Sequence, residues 1–305
     1  MIGRVTQQGL QFSALRNLQQ NLGRMSDLQL QLSSGKVITK ASDDPAGMVD
    51  AMRIRSDRRA NTQHARNVQD GVGWLTTVDS AVNTSLSLLR RARDLTVQAG
   101  NSGALSDSAR EAIAIELEQT AEALREQANA QYLGRSVFAG TSNAGEAFTN
   151  NGDGTYAFNG TPGAAVERRV ADNTAARVDS VGTAVFGVPG DTVFETLNMI
   201  AAGLRSGTPP TVPTLTASAG LDAIDNHMNA MLKEVASVGA RTNQIENARE
   251  AIADRKVMLD SQLSDVEDAD LAATIVELQM QEVAYASALN ATSRALQPSL
   301  LDFLR

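Results

Sequence analysis

Few side chains capable of catalytic chemistry are spaced to perform it. The chain has two histidines, His64 and His227, and no cysteine. Neither histidine has a second His, a Cys or an acidic neighbour at the spacing of a zinc site or a Ser-His-Asp triad. We therefore expect both imidazoles on solvated helix faces, and we expect neither enzymatic activity nor a cofactor.

Two stretches carry the oxygen ligands that calcium prefers. Residues 265–270 hold four carboxylates, but adjacent positions of a helix point in different directions and do not converge on one ion. We interpret them as acids that favour a helix start and face basic partners. Residues 151–154, Asn-Gly-Asp-Gly, lack the later bidentate glutamate of a calcium loop and favour a hairpin turn. Neither stretch predicts a metal site.

Charge and hydropathy argue against two classes of partner. Arginines cluster at positions 53, 55, 58 and 59, but no aromatic side chain is interleaved to stack on bases, and the net charge is −8. No run approaches the ~20 apolar residues of a membrane span, and residues 1–10 lack the apolar core of a secretory signal. We expect no binding to nucleic acid or membranes, and export, if it occurs, by another route.

The strongest pattern is apolar residues at coiled-coil spacing near both ends of the sequence, which predicts two helices that each pack lengthwise on another helix. In the first helix these positions are Leu15, Leu18, Leu22, Met25 and Leu32, broken only by Gln29. In the last helix they are Leu271, Ile275, Leu278, Tyr285, Leu289 and Leu296, interrupted by Glu282 and Thr292. The two stripes can pair with each other in a stable monomer, with copies of themselves in an assembly, or with both.

The charges of the two regions that contain these stripes are complementary. Residues 1–66 hold ten Lys or Arg against five Asp, a net charge of +5. Residues 241–305 hold six basic against eleven acidic side chains, a net charge of −5. Opposite fields favour association of the two regions.

A turn is predicted between the first two helices. Gly35 is typical of the position just after a helix C-terminus. Asp43, Asp44 and Pro45 follow, and Asp44 as N-cap with Pro45 at the first helical position marks the start of the next helix.

The fold class expected is mainly α with a small inserted β domain, an elongated helical-bundle rod with terminal coiled-coil helices. The spacing of apolar residues predicts, among other helices, one from 106 to 134. Short runs of Gly, Val, Phe and Thr after residue 138 predict strands. We expect an N-terminal assembly helix at 1–40, rod helices at 41–137 and 191–264, the β insertion at 138–190, and a C-terminal assembly helix at 265–305.

Several of these residues resemble those of one family. Ser-Ser-Gly-Lys at 33–36 and Ser-Asp-Asp-Pro-Ala-Gly at 42–47 resemble the N-terminal region of bacterial flagellins and their junction relatives, although Pro45 stands where flagellins usually have Ala. Residues 270–304, with Tyr-Ala-Ser-Ala-Leu at 285–289, resemble the other end of the same superfamily. Val-Gly-Ala-Arg-Thr-Asn at 238–243 is similar to the rod helix of the junction branch.

The resemblance implies a non-enzymatic, self-assembling structural protein that joins the flagellar hook to the filament through its paired terminal helices. Implied partners are further copies in a ring, a hook-associated protein on the hook side, flagellin on the filament side and a cytoplasmic export chaperone. The implied location is the extracellular flagellum, reached through type III export without a cleaved signal peptide.

Two alternatives stay open at this point. The chain could be a subunit of the filament itself. It could also be a secreted adhesin, or with less support an enzyme, whose activity lies in residues 138–190 and whose flagellin-like ends serve delivery.

Overall fold

The computed structural model describes residues 7–100, 106–206 and 217–295. Long helices dominate these residues, and short strands lie between the third and fifth helices. The helices are α1 Gln7–Ser34, α2 Pro45–Gly100, α3 Asp107–Ala128, α4 Gly182–Phe186, α5 Val193–Arg205, α6 Ala217–Glu267 and α7 Leu271–Ala295. The expected fold class, mainly α with a small β insertion, is confirmed.

The chain divides into two compact units. The terminal unit contains Met1–Ala60 and Arg255–Arg305, and the central unit contains Asn61–Asp254. Both α2 and α6 contribute residues to each unit. The terminal unit therefore holds both of the predicted assembly helices.

The strands of the central unit form four separate antiparallel hairpins. They are β1 Gln131–Tyr132 with β2 Arg135–Ser136, β3 Phe148–Asn150 with β4 Tyr156–Phe158, β5 Glu167–Ala171 with β6 Thr174–Arg177, and β7 Gly187–Val188 with β8 Asp191–Thr192. Residues 151–154 lie in the connection between β3 and β4, which confirms the predicted hairpin turn. Asp153 accepts hydrogen bonds from the Thr155 hydroxyl and backbone N–H in that turn, and these bonds lower the pKa of its carboxyl.

The first hairpin lies where the sequence predicted helix. The helix expected to reach residue 134 ends at Ala128, and Leu133 and Gly134 form the turn with φ of 50° and 77°. Positive φ at both central residues is the geometry of tight hairpin turns, where Asn and Gly are the usual residues. The prediction was wrong because leucine rarely adopts this conformation.

Aromatic side chains fill the core of the central unit. Phe138, Phe148, Phe186 and Phe194 are fully buried. Phe148 lies 5.4 Å from Phe194 between ring centroids, and Phe138 lies 5.1 Å from Phe186, both edge to face. Such contacts add to the gain from burying large apolar area. They anchor the short hairpins to α4 and α5.

Buried polar groups fix how the hairpins pack on the helices of the central unit. The carboxylate of Glu195 closes a capping box with Thr192 at the start of α5, and it also accepts hydrogen bonds from the backbone N–H groups of Tyr156 and Gly190. This one side chain satisfies donors from two hairpins and from the helix N-terminus.

A second network joins the segment after β6 to α6. Arg241 of α6 donates to the carbonyl oxygen of Asp179 at 2.5 Å and to the carboxylate of Glu234 at 2.5 Å. The buried carboxylate of Asp179 accepts from the backbone N–H of Val166 and from the guanidinium of Arg177. Arg241 belongs to the segment whose sequence resembles the junction branch, and here it positions a hairpin on α6.

Two glycines in α2 allow other elements to come close to the helix. A Cβ atom at Gly73 would lie 2.3 Å from the hydroxyl oxygen of Tyr132 and 2.5–2.6 Å from its ring, and one at Gly71 would lie 2.9 Å from Ile245. Tyr132 in turn packs on Trp74, with 5.8 Å between ring centroids. The absence of a side chain at Gly73 therefore admits the β1–β2 hairpin to the surface of α2.

We predict that Gly73→Ala destabilises the central unit by about 1–3 kcal/mol, because the added methyl group overlaps a rigid aromatic ring. Urea unfolding followed by fluorescence of Trp74, the only tryptophan, measures both the free energy and the displacement of Tyr132. The matched control is Gly239→Ala on α6, where nothing lies within 4 Å of the new methyl group. It should raise stability by roughly 0.5–1 kcal/mol, and equal effects of the two changes would contradict the packing role of Gly73.

Candidate assembly surface

In the terminal unit, α1 packs along α7. Gln281 donates from its side-chain amide to the backbone carbonyl oxygen of Asn21 at 3.4 Å. Just after the end of α1 and just before the start of α7, the backbones of Lys36 and Asp268 form an antiparallel β-bridge. The two helices therefore run antiparallel. Helices of this length need such lateral packing, because isolated helices are marginal in water.

The face that each helix protects follows a three-four spacing, as in a coiled coil. On α1 the less exposed positions are Ala14, Leu18, Asn21, Met25, Leu28 and Leu32. On α7 they are Thr274, Leu278, Gln281, Tyr285, Ala288 and Thr292. About half of these side chains are polar or small, so the seam between α1 and α7 buries little apolar area.

The predicted interface residues divide between the seam and an outward face. Of these, Leu18, Met25, Leu32, Leu278 and Tyr285 lie on the protected faces. In contrast, Leu15, Leu22, Leu271, Ile275 and Leu289 are 45–56 % exposed. Leu296 and the last part of the 270–304 stretch that resembles the flagellin superfamily lie outside the described residues. The seam continues through positions 14, 21 and 28, one residue before the positions 15, 22 and 29 that the sequence pattern selected. The assembly role of all these residues stays a prediction.

A further apolar stripe on α7 faces away from the seam. It consists of Val276, Met280 and Val283, which are 55–67 % exposed. Successive residues of a helix are 100° apart, so this stripe lies opposite Leu278. We call Val276, Met280 and Val283 the outer stripe. A helix that is apolar on several sides is usually buried on several sides, whereas α1 covers only one side of α7.

A buried carboxylate forms salt bridges that join the α1–α2 connection and the start of α2 to the end of α6. Glu267, at the end of α6, has a side chain only 2 % exposed, and it binds the Lys36 ammonium and the Arg55 guanidinium, each at 2.7 Å. The backbone joins at the same place: Val37 donates its N–H to the carbonyl oxygen of Glu267, and Ala269 donates to that of Gly35. We call this arrangement the clasp.

The charge of Glu267 is stabilised by its two cations. Burial by itself raises the pKa of the Glu267 carboxyl. The hydrogen bonds and positive charges of Lys36 and Arg55 together outweigh this effect, so the net pKa lies below the ordinary value of 4.5. Nearby, Arg58 pairs with Asp260 at 2.8 Å. These pairs join the net positive N-terminal region of the sequence to the net negative C-terminal region, as the charge distribution predicted.

The turn before α2 is built as its residue types indicate. Asp44 accepts a hydrogen bond from the backbone N–H of Ala46 at 3.0 Å, and Pro45 is the first residue of α2. Asp43 accepts from the backbone N–H groups of Thr39 and Lys40 and from the Thr39 hydroxyl. Partial burial raises the pKa of Asp43, but these hydrogen bonds bring the net pKa below 3.8. The connection between α1 and α2 is thus held in one conformation.

Both histidines differ from the expectation of solvated helix faces. His227 on α6 is 8 % exposed and lies 3.3 Å from the hydroxyl of Thr196 on α5. Burial lowers its pKa below the ordinary 6.5, against the opposing charge of Asp191. The side chain of His64 on α2 is 13 % exposed and contacts the β5–β6 hairpin. The expectation was wrong because a single sequence does not show which helix face a distant hairpin or helix covers.

Two negative findings hold for the part of the chain that the structure describes. No helix there has the length and apolar content needed to cross a membrane. No group of three or more His, Cys, Asp or Glu side chains there is placed to hold a metal ion.

Comparison with known proteins agrees with this geometry. Residues 5–143 match the bacterial flagellin N-terminal helical region, and residues 221–304 match the bacterial flagellin C-terminal helical region. The two matches span most of the chain, and the chain belongs to the flagellin family. It is therefore a structural, non-enzymatic component of the flagellum, from a family that self-assembles into the flagellar polymer.

Curated relatives are filament proteins. The chain is 26 % identical to flagellin FlaB1 of Treponema pallidum over 282 residues, which is 90 % of each chain. It is 37 % identical to the flagellar filament 41 kDa core protein of Borreliella burgdorferi over 121 residues, 39 % of this chain. That second match spans only 36 % of the Borreliella protein.

The solved structures that share this fold are named as hook-associated or FlgL proteins and not as filament proteins. The hook-associated protein-3 of Legionella pneumophila has a TM-score of 0.61 at 17 % identity, covering 70 % of this chain and 98 % of that protein. FlgL of Bacillus cereus has a TM-score of 0.58 at 22 % identity, covering 70 % of this chain and 99 % of that protein. At these identities the likeness establishes the fold.

We predict that Glu267→Gln destabilises the terminal unit by about 1–3 kcal/mol, because two cations lose their shared negative partner. Hydrogen exchange of α1 and α7 amides measures the loss. The matched control is Glu277→Gln on the exposed surface of α7, which should change exchange little. Because the pKa of Glu267 is depressed, its contribution is complete above about pH 4.5 and is lost as the pH falls. Exchange in the Glu267→Gln variant should respond less to acid, and an identical acid response would refute the role of the clasp.

We predict that buried His227 makes the central unit less stable as the pH falls below about 6.5. The unfolded chain then takes up a proton that the folded chain resists, so the free energy of unfolding falls with a slope of up to about 1.4 kcal/mol per pH unit. His227→Gln should remove this slope, whereas His64→Gln should not remove it. Urea unfolding between pH 5 and 8, monitored by Trp74 fluorescence, measures how the free energy of unfolding depends on pH. A slope that survives in His227→Gln would show that His227 is not its source.

Proposed function

We propose that this chain is a junction subunit between the flagellar hook and filament, of the hook-associated protein 3 type. The observation that supports this is the fold, since structures named for that protein cover about 70 % of this chain and nearly their own full length. The segment 238–243, which resembles the junction branch, adds a residue-level reason, because Arg241 there positions a hairpin of the central unit.

In this proposal the outer stripe and the exposed leucines of α1 and α7 are the assembly surface. Leu15, Leu22, Leu271 and Leu289 are half exposed beside the seam, and Met280 is exposed opposite it. Covering the exposed half of each of these side chains in neighbouring copies yields about half of the roughly 1.5–3 kcal/mol gained by burying a fully exposed one. The seam has too little apolar area to supply that gain within one molecule. Assembly thus buries two sides of α7 that α1 leaves open.

Export through the type III channel with a cytoplasmic chaperone, a ring of copies, a hook-associated neighbour and a flagellin neighbour belong to the same proposal. The weakly apolar seam is consistent with it, because terminal helices held mainly by the clasp and a polar seam can separate for threading at modest cost. The alternative of a secreted adhesin is supported only by the flagellin-like terminal regions, which would serve its delivery.

We predict that Val283→Asp blocks incorporation into flagella and leaves the monomer as stable as before. Val283 is 67 % exposed, so a charge there costs nothing in the free chain, whereas its burial in an assembly without a partner costs several kcal/mol. Complementation of a deletion strain, scored by motility and by recovery of the variant in sheared flagella, measures incorporation. The control is Glu277→Gln, an exposed position on the same helix outside the outer stripe. Normal incorporation of Val283→Asp would reject the outer stripe as an interface.

A filament subunit is the second candidate, favoured by the filament core proteins among the curated relatives. Immunogold labelling of this chain on intact flagella separates the two. A junction subunit is labelled only where hook meets filament, and its deletion leaves hooks without filaments while filament protein is released to the medium. Label along the whole filament, or loss of the filament protein itself on deletion, would establish the second candidate instead.

A further inference from the structure

His64 contacts two oxygen acceptors far along the chain from it. It lies on α2 in the central unit, and both of its ring nitrogens face oxygen acceptors of the β5–β6 hairpin. Nδ1 is 3.3 Å from the carbonyl oxygen of Arg169, and Nε2 is 3.3 Å from a carboxylate oxygen of Asp172. A neutral imidazole carries one N–H and can donate to only one of these, whereas the imidazolium donates to both.

We infer that His64 is a proton-dependent latch that fastens the tip of the β5–β6 hairpin to α2. Protonation supplies the second donor and an ion pair with Asp172. Loss of the proton leaves a nitrogen lone pair facing an oxygen lone pair at one end of the ring, so one contact opens.

The rest of the hairpin is attached by contacts that do not titrate in this range. Arg168 pairs with Asp70 of α2 at 2.5 Å and lies over the ring of Trp74. Asn67, one helical turn from His64, donates to the Arg169 carbonyl at 2.8 Å. Deprotonation of His64 therefore loosens only the tip, around Asp172, and leaves the hairpin in place.

The charged groups near the ring set the sign of the response. On the hairpin, the carboxylate of Asp172 faces Nε2, and the guanidinium of Arg169 donates to the backbone carbonyl of Asp172. On α2, Arg66 donates to Gln63, and Asp70 is engaged by Arg168. The latch closes as the pH falls, which is opposite in sign to the effect expected of His227.

The effect is small in energy, because Asp172 is 63 % exposed and water screens the pair. An exposed pair of this kind changes an equilibrium constant by about two- to fivefold. The consequence is local: the position of the hairpin tip depends on pH while the fold does not.

A double-mutant cycle at two pH values tests the latch. His64→Gln, Asp172→Asn and the double variant are unfolded in urea at pH 5.5 and pH 8.5, with Trp74 fluorescence as the signal. The coupling between the two positions should be about two- to fivefold in the unfolding equilibrium constant at pH 5.5 and absent at pH 8.5. The contribution of His227 is common to all four proteins and cancels. The control cycle replaces Asp172→Asn by Glu167→Gln, on the same hairpin away from the tip, and should show no coupling at either pH.

Nuclear magnetic resonance gives the second measurement, since the chain has only two histidines. In a His227→Gln background, the backbone amide signals of residues 170–174 should move with the same midpoint as the His64 ring signal, and this transition should be missing in His64→Gln. Coupling that is equal at both pH values, coupling absent at both, or hairpin signals that ignore the His64 titration would each overturn the latch.

Discussion

The terminal unit depends on one buried carboxylate. Glu267 sits where α6 gives way to α7, and it binds one cation from the α1–α2 connection and one from the start of α2. A carboxylate withdrawn from water is stable only when its partners are in place, so the charge itself specifies how these four helical segments meet. Backbone hydrogen bonds on both sides of Glu267 then set α1 beside the start of α7. The pairing of the first and last long helices follows from this local arrangement more than from the seam between them.

The weakness of that seam has a functional meaning. Asn21 and Gln281 meet where a stable coiled coil would place Leu or Ile. The apolar residues of α7 are instead distributed around the helix, which suits a segment surrounded by neighbours. In the free chain the clasp fixes how α1 and α7 meet, and in the assembly we propose, neighbouring copies supply the apolar burial that the seam lacks. Under that proposal, the geometry of the pair and the stability of the polymer come from different contacts.

Much of the architecture could be predicted from spacing and residue type. The helices, the Asp44-Pro45 helix start, the turn at 151–154 and the complementary charges of the two ends are local or additive properties of the sequence. The phase of the seam could not be predicted in full, because the pattern selects the most apolar stripe, and here Leu15 and Leu22 belong to a face that is exposed in the single chain. The role of Glu267 could not be predicted, because nothing in the sequence of residues 265–270 distinguishes the carboxylate that becomes buried from the other three. The turn at Leu133 and the burial of His227 depend on contacts between distant segments.

If α7 is an assembly surface, the outer stripe must change from exposed to covered when the chain enters the flagellum. The chain has no cysteine, so Met280→Cys introduces a unique thiol whose rate of alkylation can be compared in the purified monomer and in isolated flagella. Asp153→Cys, in the exposed turn between β3 and β4, corrects for general access to the reagent. We expect rapid labelling of the thiol at 280 in the monomer and strong protection in flagella, with the thiol at 153 reactive in both. Protection at 280 in the monomer, or equal labelling in both states, would contradict it.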